Sequence, residues 1–203
     1  MTVDVANNII QYSQIAVSVV VLGLIFFKHR ANALDARWLK KTAWFIALFS
    51  LAVVGIKIGG HYYFLAQDNA FGKFFLPPYQ SWQWFAQDSL QKNLAPYAVA
   101  LALGGFMYWA ATLTNKYFAG DLFLKHDTYI LFIAAVLVGW PGFMLYLSLV
   151  VILAVLYSVM TSMKHKTTAA RVTLTNALIV SIPLVLIFGG AIAPYINLWK
   201  LTI

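Results

Sequence analysis

The sequence predicts an all-α polytopic membrane protein, a single transmembrane domain over residues 1–203 with about six helices in one bundle. Three observations predict it. Hydrophobic residues make up 62% of the chain and charged residues 10%, against roughly 25% charged residues in ordinary soluble domains, and the mean hydropathy is +0.79. Several runs of about 20 residues are almost free of charge, the length an α-helix needs to cross a hydrocarbon core roughly 30 Å thick. The lysines and arginines gather at the ends of those runs, where they hold inserted helices on one side.

The predicted spans cover residues 8–27, 42–65, 95–117, 122–140, 142–163 and 172–197. Each is apolar on most faces, because a helix in lipid must satisfy its backbone polar groups internally. The first run lacks a basic start followed by a small-residue cleavage site and reads as a retained span. The fourth is the exception in length. From Thr128 to Pro141 it offers about 21 Å of helix at 1.5 Å per residue, so it either begins upstream and carries Asp127 inside or forms a short tilted helix. Gly139-Trp140-Pro141-Gly142 then predicts a tight hairpin to the fifth span, with proline at a helix start, where its missing N–H costs nothing.

Charge asymmetry predicts the orientation. Lys28, Arg30, Arg37, Lys40 and Lys41 fill the first connection, and Lys164, Lys166 and Arg171 fill the fifth. The positive-inside rule places segments 28–41 and 164–171 in the cytoplasm and both termini outside, in a cytoplasmic or inner membrane. The longest connection, 66–94, falls on the outer side and is dense in aromatic residues, among them Phe74, Phe75, Tyr79, Trp82 and Trp84. Such a segment is expected to lie in the headgroup layer as an aromatic belt, or to face a partner.

Several function classes drop out. Cysteine is absent, which excludes disulfides, thiolate metal sites, iron–sulfur clusters and cysteine nucleophiles. A net charge of +8 raises nucleic-acid binding, but basic residues clustered at span ends point to membrane retention, leaving lipids and other membrane subunits as the expected partners. His29, His126 and His165 each follow a lysine on the cytoplasmic side. They read as interfacial basic clusters, since a metal site would need three connections to converge. His61 has no second histidine on its side for a haem, so no cofactor and no metal are expected.

Glutamate is absent, so carboxylate chemistry rests on six aspartates. Asp127 stands out at the start of the fourth span, where a carboxylate in lipid needs a partner or water, or else serves as a helix cap. Asp121 and Asp35 are expected on the same side, and two aspartates within a few ångströms could share a proton as general base and general acid. Lys57 lies inside the second span, where its stem reaches the outer interface or its charge pairs with Asp68 or Asp88. Glycines around it, and Gly104-Gly105 in the third span, let neighbouring helices approach closely.

The run from Asp127 through Gly139-Trp140 resembles the segment that follows the second catalytic aspartate of prepilin peptidases, where a Gly-x-Gly-Asp motif leads into an apolar helix ending in a similar Gly-Trp. Downstream, a further span, a basic loop and the stretch Arg171 to Leu178 are similar to that family's closing elements, so the resemblance covers residues 105–190. It implies an intramembrane aspartyl protease with Asp127, and Asp121 or Asp35, as catalytic residues. The chain departs from the pattern by placing Lys125-His126 where the family has Gly-x-Gly, by Gly120-Asp121 standing six residues out of register, and by having no proline between Phe27 and Lys41.

Three functions follow from these readings. A non-catalytic subunit or scaffold of a membrane complex fits the scarcity of polar groups within the spans. A divergent prepilin-peptidase-like protease fits Asp127 and the helix after it. A small transporter or channel rests on Lys57, the glycine pairs and Pro183.

Overall fold

The computed structural model describes residues 3–67, 72–77, 79–117, 123–165 and 174–192, and these form an all-helical bundle. The helices are α1 (Val3–Arg30), α2 (Ala36–Gln67), α3 (Trp82–Ser89), α4 (Ala95–Tyr117), α5 (Lys125–Val138), α6 (Gly142–His165) and α7 (Leu174–Ile192). A 3₁₀ turn at Gly72–Phe75 precedes α3, and a π-helical turn at Leu90–Leu94 joins α3 to α4. Five stretches are long and apolar enough to cross a membrane: Tyr12–Arg30, Ala36–Tyr63, Trp82–Tyr117, Gly142–Thr161 and Leu174–Ile192.

Two boundaries depart from the sequence expectation in an informative way. The helix of the second span starts at Ala36 and carries Arg37, Lys40 and Lys41 on its first two turns. The second half of the expected outer connection is helical and runs into the third span without a break. The π turn lies just before Pro96, whose ring would crowd the carbonyl four residues back and which has no N–H to donate; a wider turn relieves that conflict.

The fourth predicted span is the centre of the molecule. Helix α5 has 14 residues, about 21 Å of rise, and it packs on α2, α4, α6 and α7. Ile130, Ile133, Ala134 and Ala135 are fully buried, so this helix faces protein on nearly every side. A helix largely enclosed by its neighbours does not have to match the hydrocarbon thickness on its own, and this is why 14 residues suffice.

Helices α5 and α4 approach closely at Gly104. A Cβ placed on Gly104 would lie 3.1 Å from the Ala135 Cβ and 3.2 Å from the Phe132 ring, so the missing side chain is what lets the two helices meet. Gly139 ends α5 with φ +70°, a left-handed conformation that glycine adopts without a Cβ clash, while its N–H bonds back to the Ala135 carbonyl. The chain then turns through Pro141 directly into α6, whose Phe143 and Tyr146 are fully buried and stack with ring centroids 5.5 Å apart.

Candidate functional site

Polar side chains collect at one end of the bundle, where the C-terminal end of α1 meets the first turns of α5 and α7. Leu124 takes the N-cap position of α5 in extended conformation (φ −70°, ψ 153°). Asp127, three residues on, reaches back so that its Oδ2 accepts the Leu124 N–H at 3.0 Å, one half of a capping box. Leucine has no acceptor to complete the box. The Asp127 N–H bonds the Leu124 carbonyl instead, at 2.9 Å.

The other oxygen of Asp127 faces α7. Thr175 donates its hydroxyl to Asp127 Oδ1 at 2.6 Å, and the His126 Nε2 stands 3.1 Å from the same Thr175 Oγ1 and 3.6 Å from Asp127 Oδ1. Because the one hydroxyl proton of Thr175 goes to the carboxylate, His126 is assigned as donor to Thr175, which sets its Nε2–H tautomer. Asp127 and Thr175 are each 1% exposed. The carboxylate thus sits at the positive end of the α5 dipole with both oxygens bonded.

Next to Thr175, Asn176 turns its Oδ1 to the His29 Nε2 of α1 at 2.6 Å. Two of the three lysine-preceded histidines therefore meet consecutive residues at the start of α7. This contact brings the end of α1 and the start of α7 to one end of the bundle. On the far side of α5, the Asn115 side chain of α4 accepts the Phe123 N–H at 2.9 Å and donates to the Phe123 carbonyl at 2.6 Å, fixing the approach to the α5 cap. Deeper in, Tyr146 of α6 donates its hydroxyl to the Leu178 carbonyl at 3.3 Å.

The other aspartates considered from sequence lie apart from this cluster or outside the described residues. Asp35 is exposed and accepts the Arg37 N–H at 3.1 Å, capping α2. Asp121 and Asp68 lie outside the described residues. Thr175, Asn176, Asn115 and Tyr146 carried no role in the sequence reading; a threonine and an asparagine opening an otherwise apolar span were the available signal for the first two. Among the described residues no three histidine or aspartate side chains come together as a metal site.

A second polar cluster lies at the opposite end. Asp88 of α3 holds the Lys92 Nζ at 2.7 Å through one oxygen and approaches the His61 Nε2 of α2 to 3.2 Å with the other, a contact without hydrogen-bond alignment. Asp88, a candidate partner for Lys57, is thereby engaged elsewhere, and among the described residues Lys57 makes no ion pair. His61 stacks on Phe85 at 5.8 Å, and Tyr62 stacks on Trp82 at 5.7 Å. Phe75 stacks on Trp84 at 5.2 Å and Phe74 meets Tyr79 edge-on at 4.9 Å. Leu65, Leu76 and Phe85 are buried and make a small second core over the end of α2 with Trp84 packed against it, while Tyr62, Phe74, Phe75, Tyr79 and Trp82 stay exposed.

Set against family models, curated proteins and solved structures, the chain matches none.

Proposed function

We propose that this integral membrane protein is a non-catalytic subunit of a membrane complex, in which Asp127 fastens the bundle and the outer half of α2 docks a partner helix. The observation that carries the reading is the state of Asp127. A catalytic aspartate needs a carboxylate open to substrate and water, with a second carboxylate to share its proton. Here both oxygens are bonded to protein groups inside a packed core, which is the bonding a structural clamp requires.

The docking edge is supported by glycine. Gly55 and Gly59 are four residues apart on α2, uncovered, with nothing within 4 Å of where a Cβ would stand, and Gly60 is open in the same way. Small residues at this spacing let two helix backbones approach closely in lipid, where packing rather than apolar burial drives association. Gly104 already does this against α5; the α2 glycines have the same character and, among the described residues, nothing within 4 Å of their Cβ positions.

The test is recovery of the full chain from its own membrane in mild detergent. A stable stoichiometric membrane-protein partner is expected, and Gly59→Leu should reduce its recovery several-fold while the purified variant unfolds at the same temperature as the parent. The competing reading is a divergent prepilin-peptidase-like protease, which has in its favour the position of Asp127 at the head of an apolar helix. Recovery as a lone monodisperse protein, or cleavage of a prepilin-like substrate in liposomes that Asp127→Asn abolishes, would overturn the subunit reading.

A further inference from the structure

A groove of about 520 Å³ runs between α2 and α4, with α5 as its floor. This is within the about 300–1,000 Å³ common for small-molecule sites. Its α2 wall runs from Lys40 to Leu51 and its α4 wall from Tyr97 to Tyr108. Each wall spans 12 residues, about 16 Å of helix rise from first to last, which matches one leaflet of a roughly 30 Å hydrocarbon core. Near its deep end the groove is crossed by Tyr97, whose hydroxyl donates to the Ala47 carbonyl. Toward the other end the rings of Tyr108 and Tyr129 meet at 5.4 Å.

The charge at the mouth is unbalanced. Arg37, Lys40 and Lys41 are exposed on the first two turns of α2, and among the described residues none of them has a carboxylate partner. Lys28 differs, since its ammonium lies 4.8 Å over the Trp38 ring. Trp44, one turn deeper on the wall and 63% exposed, stands where an interfacial indole belongs. An apolar slot one leaflet deep, opening beneath three uncompensated cations, is complementary to a molecule with an anionic head and a hydrocarbon tail.

The geometry points to a binding site for an anionic phospholipid, with one acyl chain along α5 between α2 and α4 and the phosphate at Lys40, flanked by Arg37 and Lys41. The slot is walled by protein on three sides, so the bound chain is held apart from the lipid that merely surrounds the bundle. A lysine near the surface contributes about a five-fold preference for an anionic over a neutral headgroup.

Native mass spectrometry of the detergent-purified full chain, titrated with phosphatidylglycerol or phosphatidylcholine of identical acyl chains, tests this. Phosphatidylglycerol adducts are expected at several-fold lower lipid concentration. Lys40→Gln should remove most of that preference, and Leu48→Trp, filling the slot from an uncovered position, should lower uptake of both lipids. Lys116→Gln, at the exposed end of α4 and outside the slot, should change neither. Equal uptake of the two lipids by the parent protein, or a preference that survives Lys40→Gln, overturns the assignment. So does a dimer whose copies become linked through an introduced Leu48→Cys, because a second chain would then fill the groove.

Discussion

Thr175 and Asp127 are 48 positions apart in the chain and 2.6 Å apart in space, and their bond joins the first turn of α7 to the first turn of the central helix α5. The hydroxyl proton points at the carboxylate, the carboxylate at the α5 N-terminus, and His126 supports the threonine from behind. One buried side chain thereby fixes where two helices begin relative to each other.

Removing the donor should expose the cost of leaving that carboxylate underbonded. Thr175→Val keeps the shape and deletes the hydroxyl, so a loss of about 1–3 kcal/mol is expected. Thr175→Ser, which keeps a hydroxyl, should recover most of it. Thermal unfolding in a single detergent compares the two, and equal stability of the valine and serine variants would show that the bond contributes nothing.

Gly104 predicts the opposite kind of failure. A leucine there meets Ala135 and Phe132 where α4 lies close against α5, and overpacking of this kind costs about 1–3 kcal/mol. Gly105, with nothing within 4 Å of its Cβ position, should accept leucine with little change. The contrast between adjacent positions is read by the same unfolding measurement.

At the other end, Asp88→Asn should loosen the aromatic layer without touching the central helix. The variant loses the ion pair to Lys92 in the adjoining π turn and weakens the contact to His61, which links α3 to α2. Limited proteolysis of the protein in liposomes should then cut within residues 72–94 several-fold faster, while the unfolding temperature stays close to that of the parent. Unchanged cleavage would mean that the ring stacking holds this layer by itself.

Tyr97→Phe removes a single hydroxyl between α4 and α2. Interhelical hydrogen bonds in membranes average about 0.6 kcal/mol and reach about 1.7 kcal/mol, so a small destabilisation within that range is expected in a double-mutant cycle with a helix α2 variant.

Much of the architecture was legible because lipid imposes simple rules. Long uncharged runs announced the helices, and the basic residues at Lys28 to Lys41 marked one end of the bundle. The short apolar run after Asp127 left open a helix beginning upstream or a short tilted one; α5 begins at Lys125, carries Asp127 in its first turn and has 14 residues. What periodicity could not reveal was which helix is central. In a soluble protein the buried face of a helix is its apolar stripe; in lipid every face is apolar and the stripe carries no information. Asp127 drew attention as a lone charge, but its partner Thr175 is an ordinary residue that no charge pattern singles out.

Composition and run length were enough to assign this chain to hydrocarbon, to give about how many helices it makes and to locate its cations, because the transfer of apolar and charged groups between water and lipid depends on those two properties. That α5 is largely enclosed, that Asp127 bonds Thr175 and that Asp88 meets both His61 and Lys92 came from the packed bundle. Those are contacts between distant segments, set by how helices of particular shape fit together, and fit is a property of surfaces in space that a linear order of residues does not display.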